Sequence, residues 1–194
     1  MRILVVNWQD LENPESGGAE IHLHETFGRL AARGHEVTVL CSGFAGAPER
    51  AELDGMEIVR TGRRYTFSLH ARRTFERELR ARGFDVIVED LNKVPLFTPR
   101  WRAAPVVALV HHLFGWTAFR EATPPVAAAT VMLESLIPRV FRGLPAVAVS
   151  ESTKEDLVRR GLRGEDIEVI PNGIDLGVYT PGEVEKSATP TLLY

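Results

Sequence analysis

The sequence predicts an α/β domain built on a doubly wound parallel sheet with helices on both faces. Short runs of Val, Ile, Leu and Ala alternate with longer amphipathic stretches, which is the pattern of strands joined by crossover helices. Several of these runs are apolar at nearly every position, as expected for strands covered on both faces. We expect seven strands, at Ile3–Val6, Val37–Leu40, Glu57–Arg60, Val86–Val88, Val106–Val110, Ala146–Val149 and Glu168–Ile170.

Four helices are predicted between the strands, over residues 19–32, 68–82, 125–140 and from Ser152 onward. In the first helix, Ile21 and Phe27 are expected on the face that packs against the sheet. Pro138 is expected to kink or shorten the third helix, because proline cannot donate the backbone hydrogen bond there. In the fourth helix, Ser152 and Glu155 have the spacing of a capping box, which predicts that the helix begins at Ser152.

Composition excludes several classes of protein. The chain has 194 residues, of which 44% are hydrophobic and 25% charged, so it has enough apolar side chains for a sizeable core. Its only cysteine, Cys41, cannot form a disulfide framework or a multi-thiolate metal site. A pI near 6.1 argues against a dedicated nucleic-acid-binding protein. No apolar run approaches the length of a membrane span, and the first eight residues resemble a strand, so we expect a cytoplasmic protein.

Basic residues are distributed unevenly. The chain contains 20 arginines and 3 lysines, and eight of the arginines fall between Arg60 and Arg82, where the acidic residues are Glu76 and Glu78. Such a stretch is most often a solvated helix face. The functional alternative is electrostatic contact with a phosphorylated acceptor or with an anionic membrane, as a peripheral protein at its inner face.

Two adjacent glycines mark the first candidate site. Gly17 and Gly18 end a long loop after the first predicted strand and stand at the start of the first helix. Backbone amides and the helix dipole favour an anion such as a phosphate there, whereas the alternative is a flexible turn. The spacing differs from the G-x-G-x-x-G of dinucleotide sites, and Ala19 and Glu20 stand where a P-loop has Lys and Ser or Thr.

Polar residues at the ends of two central strands form the second candidate group. His111 and His112 directly follow the strand ending at Val110, and Trp116 lies close behind them. Histidines in this position can bind a substrate or transfer a proton, and an aromatic ring suits stacking on a sugar; the alternative is polar capping of a strand.

A smaller acidic group, Glu89 and Asp90 with Asn92, follows the preceding strand. These residues are expected either to order substrate hydroxyl groups or to form an ordinary polar loop.

Ser150 lacks the flanking glycines of a nucleophile elbow, which argues against acyl transfer. The spacing of the histidines predicts no metal site.

Taken in order, these motifs resemble the N-terminal half of a family 4 glycosyltransferase with the two-domain GT-B fold. The resemblance covers essentially the whole chain, including passages similar to the family's LAxRGHEVTV and VIPNGVD patterns. The matching segments are Gly17–Glu20 followed by His22, Leu30–Val39, Val110–His111, Val149–Ser152 and Val169–Asp175.

The resemblance implies a Rossmann-like domain that helps transfer a sugar from a UDP- or GDP-linked donor to an acceptor, with retention of configuration. Gly17 and Gly18 would approach the donor diphosphate or the reacting sugar. His111 would bind the transferred sugar as the catalytic residue. The family usually needs no metal, and no separate cofactor is implied. Further sugar or acceptor contacts are expected from Glu20, His22, Glu89, Asn92, His112 and Trp116.

The same resemblance divides the chain. Residues 1–180 are expected to form the N-terminal, acceptor-binding domain, and residues 181–194 an interdomain linker with the start of a truncated donor-binding domain. The family's Glu-x7-Glu element belongs to that second domain, so the isolated chain is expected to fold without transferase activity. Alternatives are a nucleotide-sugar epimerase or phosphorylase of the same fold, or a non-catalytic module that binds a phosphorylated or sugar ligand.

Overall fold

The computed structural model describes residues 1–91, 94–174, 176–180 and 189. Within these residues the chain forms one eight-stranded sheet with the order β3-β4-β2-β1-β5-β6-β7-β8. All neighbouring strands are parallel except β3 and β4. The predicted fold class is therefore confirmed. The strands are β1 Arg2–Val6, β2 Glu36–Gly43, β3 Arg50–Leu53, β4 Met56–Arg63, β5 Val86–Leu91, β6 Val106–Val110, β7 Ala146–Ala148 and β8 Ile167–Val169.

Helices cover both faces of the sheet. The α-helices are α1 Gly18–Ala32, α2 Phe67–Thr74, α3 Ala118–Glu121, α4 Pro124–Glu134, α5 Ile137–Phe141 and α6 Glu151–Arg160. The second predicted helix starts as α2 and continues as a π-helical turn over Phe75–Leu79 and a 3-10 turn over Arg80–Arg82. The third is divided into α4 and α5, so Pro138 lies in the first turn of α5, where a missing N–H costs little.

The sheet separates two hydrophobic clusters, because successive side chains of a strand point to opposite faces. Leu4 and Val6 of β1 lie in the cluster under α2, together with Phe75. Ile3 and Val5 lie in the cluster under α1, which contains Leu23 and Phe27. This division is what the uniformly apolar strands predict.

The sequence-based prediction misses β3, which pairs antiparallel with β4 at the edge of the sheet. Its side chains are only partly buried, so it lacks the apolar run used to identify the other strands. The turn that joins the two strands, Asp54-Gly55, has positive φ at both residues. An Asp-Gly pair is a strong hairpin signal, and it could have located β3.

Two local predictions are wrong. Ile21 is 55% exposed, and Leu23 takes its place against the sheet with Phe27. Helix α6 begins at Glu151 rather than at Ser152, because the side chain of Ser150 accepts a hydrogen bond from the Thr153 amide at 3.2 Å. Ser150 is therefore the N-cap, and no Ser152–Glu155 capping box forms.

A buried ion pair anchors the long loop between β1 and α1. Arg60 of β4 donates two hydrogen bonds to the carboxylate of Asp10, at 2.7 and 3.0 Å, and both side chains are almost fully buried. Arg60 also donates to Glu12 at 2.7 Å, and the Cys41 thiol donates to Asp10 at 3.3 Å. Burial alone would raise the pKa of Asp10, but the hydrogen bonds from Arg60 and Cys41 lower it overall. Arg60 therefore does not belong to a solvated arginine face.

Replacement of Arg60 by methionine should strongly destabilise the chain. It leaves the Asp10 carboxylate buried without its partner, and breaking a buried pair in this way costs about 3–5 kcal/mol. Chemical denaturation measures the change in the free energy of unfolding. Arg159→Ser is the matched control, because it removes an exposed arginine 3.7 Å from Asp156 and should cost at most about 1 kcal/mol. Equal stability losses in the two variants would contradict the anchoring role of Arg60.

Candidate functional site

The candidate site lies at the carboxyl edge of the sheet, where the loops after β1, β5 and β6 meet. Gly17 is the N-cap of α1, and its amide donates to the Glu20 carboxylate at 2.8 Å. The Asn7 side chain donates to the carbonyl of Gln9 at 2.7 Å and lies 3.4 Å from Glu20. Glu20 thus fixes the glycine turn at the start of α1.

The two glycines leave the N-terminus of α1 uncovered. A Cβ atom added at Gly17 would come no closer than 3.9 Å to any atom, and one added at Gly18 would meet nothing within 4 Å. Gly17 has an extended φ of −143°, which any residue can adopt. The fold therefore does not itself require glycine at either position. The amides of the first helical turn, which have no partner within a helix, remain accessible to a ligand.

Three side chains from three elements meet beside this helix. His111 follows β6, and its ring packs edge-on against His22 of α1, with ring centroids 5.1 Å apart. Asp90 of β5 places its Oδ1 atom 3.4 Å from Nε2 of His111. His22 lies in the second turn of α1, so this histidine cluster (His22, Asp90 and His111) and the glycine turn belong to one site.

The histidine cluster contains polar atoms that are buried without a well-formed hydrogen bond. They are Nδ1 of His22, Nε2 of His111 and both carboxylate oxygens of Asp90. Burial raises the pKa of Asp90, although His111 partly opposes the rise. Burial, followed by the influence of His111, lowers the pKa of His22. Buried polar groups nearly always have good hydrogen bonds in folded proteins, so a cluster that lacks them at the carboxyl ends of strands indicates a functional site.

The structure separates Glu89 from this cluster. The Glu89 carboxylate is buried and accepts three backbone hydrogen bonds, from the amides of Leu96, Phe97 and Thr98 at 2.6–3.0 Å. Its oxygens are engaged in holding that loop, which gives no support to a role in binding sugar hydroxyls. Asp90 is the acidic residue that reaches His111, because neighbouring residues of β5 point to opposite faces. Asn92 lies outside the described residues.

His112 and Trp116 also lie apart from the histidine cluster. His112 is exposed and packs its ring against Phe114, with centroids 5.0 Å apart. Trp116 is 79% exposed and stacks on Phe119. The loop that carries them is held by the buried carboxylate of Glu134, which accepts from the amides of Phe114 and Gly115 at 2.7 Å each. The structure therefore brings His111, and not these two residues, into the histidine cluster.

Two further observations concern the described part of the chain. No three His, Cys, Asp or Glu side chains there lie close enough together to hold a metal ion. None of the helices there is long and apolar enough to span a membrane.

The lowered pKa of His22 predicts a pH dependence of stability. During acidification the unfolded chain is protonated first, near pH 6.5, so the free energy of unfolding should fall as the pH drops below that value. The fall should level off below the folded-state pKa. Other groups that face His22 are His111, with Asp90 behind it.

His22→Gln cannot titrate and should show a shallower decrease in the free energy of unfolding between pH 7.5 and pH 5.5. One proton limits the difference to about 1.4 kcal/mol per pH unit. Denaturant titrations at the two pH values measure it, and His70→Gln, at an exposed position, is the control. Identical pH slopes for the wild-type chain and His22→Gln would argue against a lowered pKa of the half-buried His22.

Comparison with known proteins identifies relatives of this fold. Sucrose-phosphate synthase from Thermosynechococcus elongatus has a TM-score of 0.64 and 15% identity, and the match covers 93% of this chain and 50% of that chain. Anabaena HepE, solved in complex with UDP-glucose, has a TM-score of 0.58 and 15% identity, covering 94% and 47%. UDP-GlcNAc 2-epimerase from Methanocaldococcus jannaschii has a TM-score of 0.55 and 13% identity, covering 89% and 46%.

At these identities the structural likenesses show a shared Rossmann-like fold, and the chain spans about half the length of the structures it matches. Comparison with curated proteins gave no match. The sequence of residues 16–178, however, matches the family described as Glycosyltransferase Family 4. Because that match runs from the glycine turn to beyond β8 and covers most of the chain, the chain belongs to glycosyltransferase family 4 and corresponds to the N-terminal half of its GT-B architecture.

Proposed function

We propose that this chain is the acceptor-side half of an enzyme that transfers a hexose from a nucleotide-sugar donor to an acceptor. The proposal rests on one observation: the histidine cluster lies beside the exposed N-terminus of α1. One part of this site suits a sugar and the other suits a phosphate. Anabaena HepE is described in complex with UDP-glucose, which supports a donor of this class.

The glycine turn is assigned to the leaving diphosphate. The dipole of α1 and the amides of its first turn attract negative charge, and the glycines let the diphosphate approach the backbone closely. Glu20 keeps the turn in place through its hydrogen bond to Gly17. Preorganised amides of this kind stabilise charge that develops on a leaving group without a metal ion.

His111 is assigned to the transferred sugar. A proton on Nε2 would be shared with Asp90, which fixes the orientation of the ring and leaves the other nitrogen for a sugar hydroxyl. Asp90 is almost fully buried behind His111, and we assign it to positioning that ring rather than to attack on the anomeric carbon. Transfer with retention would then proceed by displacement on one face of the sugar.

His111→Asn should reduce transfer by at least about 100-fold, because it removes a group that binds the reacting sugar. The assay measures release of UDP or GDP from a panel of nucleotide sugars, using the longest natural form of the protein that contains this chain. His112→Asn changes the neighbouring, exposed histidine and should have a small effect. A loss in His112→Asn instead would assign the role to His112 and overturn the placement of His111.

Gly18→Ala should lower transfer by about 100-fold while changing stability by no more than about 1 kcal/mol, because the new methyl group meets only the ligand. Gly164→Ala is the matched control. Its Cβ would lie an ordinary 3.7 Å from Val158, far along the chain from the site. Activity measured beside a denaturation curve separates the two effects, and full activity in Gly18→Ala would remove the glycine turn from the donor site.

The likeness to an epimerase favours one alternative reaction. An epimerase would change the donor sugar in the absence of any acceptor, whereas a transferase would not, so product analysis without acceptor distinguishes them. The purified 194-residue chain is proposed to bind ligands without turnover. Turnover by the chain alone would contradict its assignment as half of the catalytic unit.

A further inference from the structure

A polar groove lies on another part of the surface, away from the histidine cluster. It is an open space of about 580 Å³ beside the helical segment of residues 67–82 and the 3-10 turn Thr98–Trp101. Arg102 lies four residues before β6 begins, whereas His111 follows its end, so the two sites lie toward opposite ends of β6. The residues that line this arginine groove are Arg72, Arg80, Arg100, Trp101 and Arg102.

Positive charge in the arginine groove exceeds the negative charge that the described part of the chain supplies. Glu76 is the carboxylate at its edge, and Arg80 binds it with a hydrogen bond of 2.9 Å, while Arg72 lies 3.9 Å away. Arg100 lies over the ring of Phe97. Neither Arg100 nor Arg102 has an ion pair within the described residues. Among the described residues, the four arginines that line the groove are thus accompanied by one carboxylate, and this excess of positive charge favours binding of an anion.

The arginine groove is held rigidly. Trp101 is 3% exposed and packs against Phe75 in the core, and its carbonyl oxygen accepts a hydrogen bond from Arg80 at 2.6 Å. Arg102 follows with φ of 51°, in the left-handed region that is costly for a residue with a side chain. A residue with this φ persists only where its surroundings fix it. The backbone of Arg100 and Arg102 is therefore held on either side of the buried Trp101.

These features select the chemistry of the ligand. Planar guanidinium groups match the oxygens of a phosphate in pairs, and a phosphomonoester carries up to two negative charges. The indole of Trp101 is buried and cannot stack on a nucleobase or a sugar ring. We propose that the arginine groove binds the phosphate group of a phosphorylated molecule, recognised through its phosphate alone.

This proposal goes beyond the proposed sugar transfer and does not depend on it. It also differs from the sequence-based hypothesis that the arginine-rich stretch of residues 60–82 contacts a membrane. Only Arg72 and Arg80 of that stretch line the groove, and the other two arginines are Arg100 and Arg102. The shared chemistry is a phosphate, which either a soluble phosphate ester or a lipid headgroup supplies.

The test compares two double variants of the chain. Arg100→Ser with Arg102→Ser removes two groove arginines, and Arg33→Ser with Arg142→Ser removes the same charge at exposed positions elsewhere. Calorimetric titration with inorganic phosphate and with pyrophosphate gives the Kd in solution. Sedimentation with phosphatidylcholine vesicles, with and without phosphatidic acid, gives binding to a lipid phosphate. Gly18→Ala is included so that binding at the glycine turn is recognised separately.

We expect the groove variant to lose at least about tenfold in affinity for one of the two phosphate sources, while the control variant retains wild-type affinity. Any affinity that Gly18→Ala lowers is assigned to the glycine turn and is not counted as binding in the groove. Loss with the soluble anions identifies a soluble phosphate ester as the ligand, and loss with the vesicles alone identifies a lipid headgroup. The proposal is overturned if the wild-type chain binds neither source, or if both arginine variants lose affinity equally.

Discussion

The ion pair between Arg60 and Asp10 is the contact on which the site depends. The segment from Asn7 to Gly17 is long and polar, and no helix or strand forms within it; residues 7–10 and Asn13 are buried, whereas most of the rest is exposed. Backbone hydrogen bonds tie its first residues to β2, and the Asp10 carboxylate anchors it further to a guanidinium from β4, two strands away from β1. Withdrawing both charges from water is costly, and the paired hydrogen bonds offset that cost only when both partners are present. The loop that leads to the glycine turn is consequently anchored from across the sheet, whereas the turn itself is fixed locally by Glu20.

Buried glutamates play a similar part in the loops around the site. Glu20 accepts the Gly17 amide, Glu89 accepts three amides, and Glu134 accepts two. Each carboxylate replaces the hydrogen bonds that an irregular loop cannot make to itself. Asp90 differs from them because no backbone amide of the described residues binds it. Its Oδ1 atom lies beside His111 instead, which is consistent with the proposed role of Asp90 in orienting that ring.

The fold was largely predictable from sequence, because buried parallel strands are marked by uniform apolar runs that survive without tertiary information. The edge strand β3 was not, since its half-exposed residues carry no such signal. The roles of Glu89 and Asp90 depend on which face of the sheet each side chain occupies. Two adjacent acidic residues in the sequence do not reveal which of them lies on which face. Arg60 was grouped with surface arginines because its partner, Asp10, is 50 residues away in sequence. Long-range pairing of charges is the information that local patterns lack.

The alternation of side chains along β5 has a consequence for the tolerance of this strand to change. Glu89 lies on the face of Ile87 and Leu91, and Asp90 on the face of Val88 and α1. An insertion of one residue just before Glu89 would exchange the two faces, moving the Glu89 carboxylate away from the loop amides and bringing this longer side chain against His111. Chain length can therefore vary in the connections before and after β5, whereas the strand itself must keep its register for loop and site to form together.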